Sequence, residues 1–150
     1  EISRALKKAE KKGMEPCFRL NLTSDLPWES LAVIYAFPNY QFYDYTKIKS
    51  RMLRYLAGEL PQNYPLTFSR SEDTPDWFVH EIHQLHRGNV AVVFNEDRST
   101  SSGLPVKWQG LRVIDGDISD LRFRDPRGVI VGLRSKGRGK KDNTGFVVTP

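Results

Sequence analysis

The chain predicts an α/β fold in which alternating helix and strand units form a parallel sheet or partial (βα) barrel, followed by a strand-rich C-terminal segment. Three observations lead there. Four times before residue 96 a helix signal gives way to a short apolar strand, at Pro16–Asn21, Tyr40–Tyr45, Tyr64–Arg70 and Asn89–Asn95. The helix signals are punctuated by Gly13, Gly58 and Gly88 at their C-terminal ends, where a left-handed residue stops a helix. No helix signal of normal length follows Arg87. Regular alternation of this kind is what a parallel sheet with helices packed on it requires. The length of 150 residues fits a single domain, with repeats over 1–95 and a strand and loop segment over 96–150.

The elements follow in order. Ile2 to Lys12 sets Ile2, Ala5, Leu6 and Ala9 on one helical stripe, with lysines elsewhere. After the strand around Cys17-Phe18-Arg19, Ser24 or Asp25 can cap a helix carrying Trp28, Leu31, Ala32 and Tyr35, with Pro27 in its first turn. The alternating, β-rich Tyr40–Tyr45 follows. Thr46 then caps a helix over Lys47–Ala57 whose Ile48, Met52, Leu53 and Leu56 form the buried stripe. Thr74-Pro75 opens the helix Asp76–Arg87. The strand from Asn89 is almost wholly apolar, as a central parallel strand covered on both faces should be. Beyond it lie a polar loop from Glu96 to Gly103, strands at Leu111–Asp115 and Gly128–Leu133, and an edge strand near Phe146.

Composition narrows the class. Hydrophobic content of 39%, charged content of 27% and a mean hydropathy of -0.52 argue against both disorder and a membrane protein. No apolar run approaches the roughly 18–20 residues that cross a bilayer. The single cysteine, Cys17, excludes an intrachain disulfide and favours a reducing, cytoplasmic setting. Residue 1 is glutamate and the first segment reads as a helix already under way, so an upstream part, or a second chain, is expected to complete the sheet. The net charge of +5 has one source: of 23 basic residues, Arg134, Lys136, Arg138, Lys140 and Lys141 fall in one acid-free run, and without them basic and acidic residues are equal in number. With Gly137 and Gly139 between them, these cations could follow a phosphate backbone or form a solvated tail.

The segments CFRLNLTSD, QFYDYTK, LTFSRSED, RVIDGDISDLRFRDPRGVIVGLRSKG and KKDNTGFV resemble an uncharacterised phage protein family, similar to the mycobacteriophage gene product eighty-eight proteins. The resemblance spans about Pro16 to Val148. Leu22 stands where the family pattern has glycine. Longer members carry an upstream cysteine-rich stretch like the cluster-binding motif of radical-SAM barrels, so the resemblance implies that these strands are the later part of such a barrel. Cys17 alone cannot hold an iron–sulfur cluster, which needs three or four thiolates.

Ligands of parallel α/β folds bind at the C-terminal strand ends. There the chain offers Asn21, Asp44, Ser69, Arg70 and Asn95, and Lys47 near a helix start that favours anions. Asp44 could act as a base or orient a hydroxyl, and Arg70 could grip a carboxylate or phosphate bidentately. No histidine stands by to activate Ser69. Asp115, Asp117 and Asp120 could hold Mg²⁺ or Mn²⁺, or form turns and ion pairs with the arginines among them. His80, His83 and His86 share a helix, as metal ligands or exposed side chains. The expected function is a phage-type protein binding a polyanion, nucleic acid or nucleotide, at the strand ends, with residues 134–141 as an electrostatic arm. The alternatives are the C-terminal part of a radical-SAM-like enzyme, and a protein that blocks a host factor by surface contact. No particular cofactor is implied.

Overall fold

A computed structural model describes residues 1–150. Three helices, α1 (Ile2–Glu10), α2 (Lys49–Leu56) and α3 (Asp76–His86), accompany eight strands. These are β1 (Cys17–Arg19), β2 (Gln41–Thr46), β3 (Leu66–Ser69), β4 (Val90–Phe94), β5 (Lys107–Trp108), β6 (Leu111–Asp115), β7 (Ile130–Arg134) and β8 (Val147–Val148). The fold is α/β, and the sheet runs β1-β2-β3-β4-β7-β6-β5. Every neighbouring pair is parallel except β5 with β6. The first four strands are adjacent in chain order, as their shared rhythm with the helices predicts.

Alternation of side chains divides the sheet into two faces. Phe42, Leu66, Phe68, Val90, Val92 and Ile130 meet Met52 of α2 and Phe78, Val79 and Ile82 of α3 in the main core. Each such fully buried side chain contributes about 1.5–3 kcal/mol, and Phe68 and Phe78 add an edge-on ring contact at 5.1 Å. On the opposite face a smaller apolar group, Ala91, Val129 and Val131, packs with Tyr45, Ile114 and Leu133. That face is covered by the β6–β7 connection, whose short 3-10 turn Arg122–Arg124 lies against β2 and β3.

The C-terminal part is tied in tightly. β5 and β6 form a hairpin with Lys107 opposite Arg112 and Trp108 opposite Leu111. Its two turn residues, Gln109 and Gly110, both have positive φ, 49° and 78°, the geometry that matches strand twist. β7 lies beside β4 along its whole length, from Val90↔Ile130 to Phe94↔Arg134. β8 pairs with Val93 and Phe94 of β4, on the edge that β3 leaves beyond Ser69.

Two expectations need correction. The segment from Trp28 to Tyr35 is not a helix but a 3-10 turn, Trp28–Ser30, followed by further turns. Trp28 donates its indole N–H to Asn21 at 2.9 Å and Glu29 turns into an ion pair with Arg51 at 2.8 Å, so tertiary partners override the helical spacing. The basic run is not a loose arm either. Arg134 ends β7, and residues Gly137–Lys141 form a 3-10 turn.

Candidate functional site

Because the strands from β1 to β6 through β4 and β7 run in one direction, their C-terminal ends share one rim. A cleft of about 990 Å³ opens there, lined by Asn21, Tyr45, Lys47, Ser69, Lys136 and Phe146 among others. Its rim on the β1–β2 side is built from a buried network. Asn21 is 2% exposed and Asp44 fully buried. The Asn21 backbone N–H donates to Asp44 Oδ1 at 2.9 Å and its side-chain amide to Oδ2 at 3.2 Å. Asn21 Oδ1 in turn accepts from Ser24 Oγ, the Leu26 N–H and Trp28 Nε1. Below it, Tyr64 donates to Asp44 at 2.6 Å and accepts from Arg51. Arg51 also grips Glu29 and Asp25, and Asp25 accepts the Lys47 backbone N–H at 2.6 Å. Burial pushes the Asp44 carboxyl up, against the lowering effect of Tyr64, Asn21 and Arg51. Burial and Asp44 together raise the Tyr64 phenol.

On the other wall, Arg134 reaches Asp115 at 2.6 Å and Asp117 at 3.0 Å, and Lys136 reaches Asp117 at 2.8 Å. Arg134 also donates to the Ser102 carbonyl. The hydrogen bond from Arg134 holds the Asp115 carboxyl below its ordinary range. For Asp117, burial works upward but Lys136 and Arg134 outweigh it and the carboxyl lies low. The connection after β6 crosses the cleft to its far side, where Asp120 meets Arg19 at 3.2 Å and the Tyr43 and Tyr45 hydroxyls at 3.4 Å. Burial, reinforced by Asp120, pushes the Tyr43 phenol up to about 12. Tyr45 also rises to about 12, by burial opposed by Arg122. Both phenols therefore stay protonated donors near neutrality.

The structure brings only some of the sequence-predicted residues into this cleft. Asn21, Lys47 and Ser69 line it. Asp44 lies beneath, with its carboxylate committed to Asn21 and Tyr64. Arg70 faces the C-terminal segment, donating to the Gly145 and Phe146 carbonyls at 2.8 and 3.2 Å. Asn95 accepts from Ser135 Oγ and borders a neighbouring cleft. Asp115, Asp117 and Asp120 do not converge as a cation cage: the first two are neutralised by Arg134, the third points to Arg19, and no three metal-ligating side chains gather anywhere. Of the basic run, Arg134 and Lys136 are ion-paired, while Arg138, Lys140 and Lys141 make no ion pair. Sequence reasoning missed Phe146, whose ring lies 4.8 Å from Lys47 Nζ. Its only signal was an aromatic between a glycine and the two valines of β8.

The sequence profile of a family described as Gene product 88 matches residues 1–150. The chain belongs to the Gene product 88 family. This is a phage gene-product family, and membership says nothing of a reaction. No curated protein and no solved structure matches the chain. The radical-SAM part of the resemblance gains no support from these comparisons. No helix of this Gene product 88 protein is long and apolar enough to cross a membrane.

Proposed function

We propose that this protein binds a phosphate-bearing ligand, a nucleotide or nucleic acid, in the cleft at the C-terminal strand ends. The observation that carries the reading is Lys47. It is exposed, makes no ion pair, and holds its ammonium over the Phe146 ring at 4.8 Å, in the cleft that Lys136 also lines. A cation beside a partly exposed aromatic ring suits a ligand that is anionic at one end and flat at the other. The hydroxyls of Ser69, Ser119 and Ser135 and the Tyr45 phenol supply neutral hydrogen bonds between. The network through Asn21, Asp44, Tyr64 and Arg51 keeps the wall that carries Lys47 in place before any ligand arrives, which lowers the ordering cost of binding.

Calorimetric titration with adenosine 5′-monophosphate, with inorganic phosphate as comparison, tests it. The mononucleotide should bind more tightly than phosphate. Lys47→Gln and Phe146→Ala should each weaken it about tenfold, the scale of one charge-assisted hydrogen bond or one stacked base. Wild-type affinity in both variants, or heats no different from buffer, sinks the reading.

A further inference from the structure

The cleft does not end at Lys136. A second cleft of about 910 Å³ begins there, between the loop Asn95–Gly103 and the Gly137–Lys141 turn. Arg134, Ser135 and Lys136 line both, so the two are neighbouring parts of one trough. Of the three shared residues Lys136 is the most exposed, its side chain 78% accessible. Arg134 is held in place by Asp115, Asp117 and the Ser102 carbonyl.

The two parts differ in chemistry. The first has apolar and aromatic walls, including Tyr45, Leu133 and Phe146. No apolar side chain lines the second. Thr100, Ser101 and Ser102 line it, the Thr100 and Ser102 hydroxyls turned back to the Leu104 carbonyl, and Arg98, Lys136 and Lys140 bring cations. Its acids are unequal. Asp97 is turned into its own loop, accepting from the Ser99 N–H and Oγ at 2.9 and 2.6 Å, whereas Glu96 makes no side-chain hydrogen bond or ion pair. A ligand that stays within the first cleft has no use for this polar extension. One with a base at one end and a sugar–phosphate chain continuing from it uses both.

We infer that the ligand is a single-stranded nucleic acid, its base held beside Phe146 and its backbone running past Lys136 into the second cleft along Lys140 and Arg98. This rests on the nucleotide reading above and adds the direction and length of the ligand. Four exposed cations, Lys47, Arg98 and Lys140 without an acid partner and Lys136 drawn from its solvent-exposed pair with Asp117, then each meet a phosphate. The logarithm of affinity should fall with the logarithm of salt at a slope of about -3, given about -0.7 per phosphate on a single strand.

The test is fluorescence anisotropy with labelled oligothymidylates of increasing length, beside the mononucleotide titration. Affinity should rise at least tenfold from one to about four nucleotides, one phosphate for each exposed cation, and then level off. Lys136→Gln with Lys140→Gln should abolish that rise and halve the salt slope, while Glu96→Gln should tighten the tetranucleotide and leave the mononucleotide unchanged. All three side chains are exposed, and circular dichroism checks that the variants fold. If mononucleotide and tetranucleotide bind alike, or the length gain survives the double variant, the path is wrong and a simple nucleotide pocket remains. If neither binds, the nucleotide reading falls with it.

Discussion

Arg51 shows most plainly what a residue can be asked to hold. Its guanidinium is 4% exposed and is met by Glu29, itself 3% exposed, by Asp25 and by the Tyr64 hydroxyl. A charge taken this far from water is tolerable only while its partners remain. Glu29→Ala should therefore cost about 3–5 kcal/mol, read from urea denaturation, because it strands the guanidinium. Tyr64→Phe should cost about 1–3 kcal/mol, since it removes one donor from Asp44 and one acceptor from Arg51. If Glu29→Ala costs under about 1 kcal/mol, the ion pair is solvated and cannot be what fixes the Lys47 wall. Sequence spacing gave no access to this network, because its members lie 13 to 26 residues apart and come together only through the sheet.

The elements divide into those whose signal is local and those whose meaning depends on a distant partner. β2, β3, β4, α2 and α3 were legible because alternation and helical stripes act within a few residues, although the left-handed residue that ends α3 is Arg87 and not Gly88. The segment after Pro27 was not: its apolar spacing is helical, yet Trp28 and Glu29 are drawn to Asn21 and Arg51. The basic run was legible as charge but not as geometry, because Asp115 and Asp117, which bind Arg134 and Lys136, precede them by 17 to 19 residues on a neighbouring strand. Of the residues expected at the strand ends, Asn21, Lys47 and Ser69 line the cleft, whereas the side chains of Asp44 and Arg70 turn to the network and to the Gly145 and Phe146 carbonyls. Asp115 and Asp117 also have a pH signature. Arg134 holds the Asp115 carboxyl below the ordinary carboxylate range, and at Asp117 burial is outweighed by Lys136 and Arg134 in the same direction. Their stabilisation is therefore complete above the unfolded pKa and lost as pH falls through the lower folded one. Asp44, pushed upward, works in the opposite sense and favours folding while protonated. Asp117→Asn should thus destabilise at pH 6, and the penalty should vanish as pH falls below the ordinary carboxylate range in denaturation curves followed into acid. A penalty that does not change with pH would mean that the carboxylate's charge is not what Arg134 and Lys136 hold.

The whole molecule is a sheet with unlike coverings, helices on one face and the β6–β7 connection on the other, and two glycines separate what each does. A Cβ on Gly116 would stand 2.5 Å from Val131, 2.8 Å from Leu133 and 2.9 Å from Arg122, all on the connection's side. One on Gly132 would meet Val113 at 2.7 Å and Leu104 at 3.3 Å, on the helix side. Overpacking of this kind costs about 1–3 kcal/mol, so Gly116→Ala and Gly132→Ala should both lower the melting temperature. Their effects on binding should part. Gly116 and Leu133 line the cleft at the strand ends, and displacing the connection there moves Ser119 and Asp120 with it, so Gly116→Ala should weaken the proposed mononucleotide binding severalfold. Gly132→Ala disturbs packing behind the sheet and should leave affinity close to that of the parent protein at temperatures where both are folded. Equal losses of affinity in the two variants would mean that the cleft senses stability at large rather than the placement of the connection that crosses it.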